Sequence, residues 1–256
     1  MDGTTPDSIP RHDSRPADWN NSRRQLWNSF CQRYRVGEDS VPLFECDENG
    51  LVLIKEIGTV RCRKILQRSA AMEALMRQEA EKVVGDHRAT RGIYDGIIYV
   101  MHTRGADGAV VPCSIGKSET VGKASGVLSA NLKRLATDTS KFGRWGDNYA
   151  YHIGDLSSIA LPGHEATVQT EKYRSWATAL FEGTNTDRPR LRQPVFFWVR
   201  AWKREDVGIW TEFGPTRLSF LEYLLIGIAS SIFPGELLNR EGHSRSLPKF
   251  DNDQNG

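Results

Sequence analysis

Two apolar runs joined by a glycine turn constrain this chain more than any other feature. Ile97-Ile98-Tyr99-Val100-Met101 is β-branched and aromatic, and Val110 to Ile115 is a second run of the same kind. Between them stands Gly105-Ala106-Asp107-Gly108, whose residues accept the dihedrals of a tight turn. The runs are expected to form an antiparallel hairpin, with Gly116 ending the second strand. A lone hairpin is marginal in water, so further elements must cover it. Val195 to Trp202 and Tyr149 to Leu156 read as strands, and Leu128 to Leu135 and Glu171 to Phe181 as helices. Ser219 opens a long apolar helix to about Ser231, with Glu222 three residues on in a capping-box pattern and Pro234-Gly235 as its stop. This order predicts an α+β fold, a small antiparallel β-sheet flanked by helices, over residues 91–242.

Upstream, residues 1–17 carry Pro6, Pro10 and Pro16 among polar side chains and read as a disordered arm. Residues 18–90 read as a mainly helical region. Leu26, Trp27, Phe30, Cys31 and Tyr34 recur at helical spacing from Trp19 to Tyr34. Asp47-Glu48-Asn49-Gly50 is a turn, with a short strand Leu51 to Ile54 behind it. From Val60 to Val84, Ile65, Leu66, Met72, Leu75, Met76 and Val83 mark one face of a long helix. Arg61, Arg63, Lys64 and Arg68 mark another, either a solvated surface or a nucleic-acid contact. Residues 243–256 form a polar tail.

Composition narrows the function. Hydrophobic residues are 39% and charged residues 26%, which a folded globular chain has and a disordered one does not. Lys plus Arg number 34 against 32 Asp plus Glu, a net +2, which excludes a wholly polybasic binder but not a local basic groove. Cys31, Cys46, Cys62 and Cys113 include no CxxC pair, so free thiols are expected and a zinc site is not. No apolar stretch reaches a bilayer span, and Met1 to Arg15 lacks the apolar core of a signal peptide, so a cytoplasmic protein with no membrane partner is expected. GxxxxGK[ST], HExxH and GxSxG are absent; Ile115-Gly116-Lys117-Ser118 lacks the upstream glycine of a phosphate loop.

The surviving pieces come in a recognisable order. Gly96-Ile97-Ile98-Tyr99 is followed by Ser114-Ile115-Gly116-Lys117-Ser118, with a literal Gly92-Ile93-Tyr94 just before. Then come Asn131-Leu132-Lys133-Arg134-Leu135 and Lys141-Phe142-Gly143-Arg144-Trp145-Gly146, and last Leu221-Glu222-Tyr223-Leu224-Leu225-Ile226 with Pro234 and Leu237-Leu238-Asn239. This arrangement, over about residues 92–242, resembles the GIY-YIG nuclease family, with Ser114 where the family usually has tyrosine.

The resemblance implies a metal-dependent DNA endonuclease, of a kind used in restriction or phage defence. Phosphodiester hydrolysis needs a nucleophilic water, a proton acceptor, and a cation at the phosphate. It implies Glu222 as ligand of Mg²⁺ (or Mn²⁺), against helix capping as the plainer role. Arg144 is taken as the transition-state arginine, with Arg134 competing for the role and otherwise a phosphate contact. Lys117 is a second phosphate contact or a solvated turn lysine. Tyr99 is the proton acceptor or a hydrogen bonder for the water, against a strand tyrosine packed in the core as the plainer role, with His152 as the alternative base, and Asn239 orients the end of the metal helix or a ligand water. Arg188, Arg190 and Arg192 form a basic loop that either neutralises DNA phosphates or is an ordinary solvated loop. The N-terminal region and residues 157–194 would supply DNA contacts or the surface of a homodimer. Because serine cannot transfer protons as tyrosine does, the alternative is a catalytically weakened nucleic-acid-binding protein on the same fold.

Overall fold

The computed structural model describes residues 16–57, 63–122, 126–132, 153–165 and 169–239. The 1–15 part of the expected arm, Arg61, Cys62 and the 243–256 tail lie outside them. In chain order the elements are α1 (Pro16–Arg33), β1 (Val41–Pro42), β2 (Ile54–Ile57), β3 (Arg63–Leu66), α2 (Ala70–Arg88), β4 (Tyr94–Arg104), β5 (Val110–Glu119), α3 (Ile153–Ala160), α4 (Glu171–Leu180), β6 (Phe196–Lys203) and α5 (Leu218–Ile232). The fold is α+β. A four-stranded antiparallel sheet runs β1-β6-β4-β5, and β2 pairs with β3 in a second, two-stranded sheet.

β4 sits between β5 and β6 and is buried from Asp95 to Thr103. Such a strand needs cover on both faces. Alternation sends Ile97, Tyr99 and Met101 to one side, into a core with α2, α3 and α4. It sends Ile98 and Val100 to the other, into a core with α1 and α5. Trp27 and Phe30 of α1 and Leu221, Leu225 and Ala229 of α5 are fully buried there. Both sheet edges are blunted. β1 is two residues long and ends in Pro42. Along β5, the backbone N–H of Leu238 donates to the carbonyl of Cys113 at 2.8 Å, so the chain leaving α5 covers that edge.

Several sequence expectations are corrected. No single helix spans 60–84: Arg63–Leu66 pairs with Ile54–Ile57, and α2 begins only after Ser69, whose hydroxyl accepts from the backbone N–H of Met72. The basic helical face therefore does not form. Lys64 pairs with Asp187 at 2.6 Å, and Arg68 is buried against Glu73 at 2.9 Å. Gly116 does not end β5, which continues to Glu119. Residues 128–132 form a bridge to Val121 and a turn rather than a helix; 133–135 lie outside the described residues. Ile153 to Leu156 is helix rather than strand, because Leu156, Ile159 and Ala160 make a buried stripe; 149–152 lie outside the described residues. The region 18–90 carries three strands, and β1 joins the central sheet through β6. Among the described residues no helix is long and apolar enough to cross a membrane.

Candidate functional site

The site forms where α5 settles on the edge of β4 and β5. A side chain on Gly96 would lie 2.2 Å from the carbonyl oxygen of Ser118 and 2.8 Å from Leu218, so only glycine lets the first residue of α5 reach the sheet. The helix is not capped by Ser219. Its N-cap is Arg217, without a side-chain cap bond, and the buried carboxylate of Asp95 accepts from the Leu218 N–H at 3.3 Å. The capping box read from Ser219 and Glu222 is thus replaced by a cap from a neighbouring strand. Ser219, released from that role, donates its hydroxyl to Glu119.

Glu222 turns toward β5. Lys117 Nζ lies 3.9 Å from its carboxylate and 2.9 Å from that of Glu119. Lys117 and Glu222 are each 21% exposed, so the pair is partly shielded from water yet reachable. The Ser219 hydroxyl, then Lys117, hold the Glu119 carboxyl below the usual carboxylate range, partly opposed by its desolvation. Asn239 spans the same edge. Its side-chain carbonyl accepts from the Ile115 N–H at 2.8 Å and its amide donates to the Ile115 carbonyl at 2.8 Å. It acts as a short strand for β5, rather than on the end of α5, and it holds the residue two before Lys117.

Tyr99 is not part of this cluster. It pairs with Gly116, while Lys117 pairs with Ile98, so tyrosine and lysine face opposite sides of the sheet. The phenol is 1% exposed, and its ring stacks on Phe197 at 5.9 Å and crosses the bare Cα of Gly116. A methyl on Gly116 would lie 2.0 Å from the Tyr99 hydroxyl oxygen. Ser114 is buried opposite Met101, on the Tyr99 side. Arg134, Arg144 and His152 lie outside the described residues.

The basic loop is also elsewhere. Arg190 pairs with Glu182 at 3.6 Å, Arg192 donates to the Thr178 carbonyl at 3.2 Å, and the Arg188 N–H donates to the Thr186 hydroxyl. That loop leads into β6 at Phe196, which pairs with His102, whereas Lys117 pairs with Ile98. Four residues of strand separate those levels, roughly 13 Å.

The arrangement missed by sequence reasoning is centred on Asp95. Besides the helix N–H, its carboxylate, 6% exposed, accepts from Arg217 Nε at 2.5 Å and Arg204 Nε at 3.2 Å. Asp95, Arg204, Arg217, Tyr94, Thr120 and Glu119 line a cleft of about 350 Å³. The local signal was slight, an aspartate beside the Gly96 that the first motif already contains.

Among the described residues no group of three or more His, Cys, Asp or Glu side chains gathers as a metal cage. Mg²⁺ does not require one. It takes one or two carboxylates, keeps several waters and uses phosphate oxygens. Glu222, which shares Lys117 with Glu119, is a donor of that kind, hard and anionic. No family model, curated protein or solved structure matches this chain.

Proposed function

We propose that this chain is a metal-dependent DNA endonuclease of GIY-YIG type, working in the cytoplasm in restriction or phage defence. The observation that carries the reading is one convergence. Lys117 of the second motif and Glu222 of α5, far apart in sequence, come together beside β5, and Asn239 binds the same strand two residues before Lys117. To these residues the resemblance gives the roles of phosphate contact, cation ligand, and a group that orients the end of the metal helix or a ligand water.

In this reading Glu222 would hold Mg²⁺ or Mn²⁺. When bound, that cation supplies Lewis-acid polarisation of the phosphoryl group. Lys117, shared by two carboxylates, offers an ammonium to a phosphate oxygen. Asn239 fixes the strand that carries it. Arg144 or Arg134 keeps the transition-state role that the resemblance gives it.

A second reading, a nucleic-acid-binding protein with weakened catalysis, is favoured by one observation. Tyr99 and Ser114 both face away from Lys117. Incubation of the purified protein with supercoiled plasmid, with and without Mg²⁺ or Mn²⁺, separates the two. Nicked, linear or fragmented product only with metal supports the nuclease. Intact plasmid, with DNA retained in a salt-dependent manner, supports the second reading. Intact plasmid and no retention defeats both.

A further inference from the structure

Arg204 and Arg217 are arranged in a way that holding the buried Asp95 carboxylate explains only in part. Both lean on Asp95 through Nε alone, and their side chains remain 53% and 70% exposed. The Asp95 carboxylate that they hold is buried, so each arginine also contributes to stability, but that role uses only its Nε. Asp95 also caps α5, and with Glu119 on the cleft wall near Arg217 the two guanidiniums face two carboxylates. What the bracing also achieves is orientation. A guanidinium tied through Nε keeps its two terminal nitrogens for another partner, and those nitrogens have no hydrogen-bond partner among the described residues. Gly92, at φ +70°, supports this from below, since a side chain there would come within 3.3 Å of Arg204 Nη1.

The cleft that both arginines line shares a wall with the Lys117–Glu222 edge. Glu119 borders the cleft, accepts from Ser219 and pairs with Lys117. A strand whose scissile phosphate lies at Lys117 would therefore bring a neighbouring phosphate to the arginines.

We infer that Arg204 and Arg217, braced together on Asp95, form a two-pronged clamp for the phosphodiester adjacent to the one cut. This inference rests on the proposed action on DNA. The clamp fixes strand position and is not itself a group at the reacting atoms.

The test is equilibrium binding of a labelled duplex oligonucleotide, followed by fluorescence anisotropy across a salt series in EDTA, so that nothing is cut. Arg204→Gln and Arg217→Gln should each weaken binding about tenfold at low salt. Each should also reduce the slope of log K against log salt by about one. Arg217→Lys, which keeps the charge and loses the fork, should recover the slope but not the affinity. A cooperative thermal transition well above the assay temperature shows that the variants are folded, and Arg217→Lys keeps a cation beside Asp95 should Arg217→Gln fail to fold. Parental affinity and slope in both glutamine variants, with the parent binding DNA, would overturn the clamp and leave the nuclease reading standing. So would full affinity in Arg217→Lys, since no fork would then be needed. A parent that does not bind DNA at all would overturn both.

Discussion

The two faces of the β4–β5 hairpin carry neighbouring motif residues to different fates. On one face Tyr99 lies over Gly116, sealed under α2, α3 and α4. On the other, Lys117 and Glu119 meet Ser219 and Glu222 of α5, at an edge open to solvent. The division comes from one residue. From Arg104↔Val110 to His102↔Pro112 the ladder is regular, and then Met101 pairs with Ser114, leaving Cys113 extra. An unbroken ladder would have placed Tyr99 opposite Ile115 and Lys117 opposite Ile97, on the tyrosine's own face. A one-residue slip moves every later side chain across the sheet. The bulge thus turns one face into core and gives the other its charges.

The largest expected effects come from the glycines that let each face close. Gly96→Ala should cost about 3 kcal/mol or more, because the added methyl meets the backbone of β5 where α5 docks. Gly116→Ala meets a movable ring and should cost about 2 kcal/mol. Urea unfolding checks both. The comparison sharpens if Gly96→Ala also weakens the charged edge while Gly116→Ala leaves its chemistry in place. Equal damage to that chemistry from both would show that the faces are not independent.

A smaller effect is expected at Tyr99. Tyr99→Phe removes a buried hydroxyl and should cost about 1 kcal/mol. Plasmid cleavage by this variant should match the parent, since the ring faces away from Lys117. Loss of cleavage with stability intact would break the separation of the faces.

The smallest effect concerns the other end of β4. Asp95 near one end has three donors, whereas His102 near the other is fully buried, with Nδ1 at 3.0 Å from the Thr103 carbonyl and no hydrogen-bond partner for Nε2 among the described residues. Burial holds its imidazole below the ordinary value; the Thr103 bond opposes this and Arg104 adds to it. A folded-state pKa below the unfolded one, about 6.5, gives stability that is complete above that pH. It is lost as pH falls through the folded value. Urea midpoints between about pH 8 and pH 5 should therefore drop more for the parent than for His102→Phe. Parallel curves would show that His102 does not titrate on unfolding.

Much of the architecture was legible. The hairpin, β6, α4 and α5 follow from β-branched runs, turn glycines and apolar stripes that tertiary contacts did not override. The failures have physical causes. Ile65 and Leu66 fit a helical stripe as well as a short strand, and pairing with β2 decided for strand. Gly116 read as a terminator because its reason, the Tyr99 ring above it, lies on another strand. At the candidate site, Lys117, Glu222 and Asn239 could be named from the sequence because motif order carries them. Asp95, Arg204 and Arg217 could not, because their grouping exists only once α5 is docked on β4 and β5.

The most direct test of the β5 edge as the reacting centre is the single-turnover rate of Glu222→Gln at saturating protein with Mg²⁺. The account predicts a fall of about 10²-fold or more, as for loss of a contact made to developing charge. DNA affinity and thermal midpoint should stay near the parent's. A Glu222→Gln variant that cuts at close to the parental rate would contradict it.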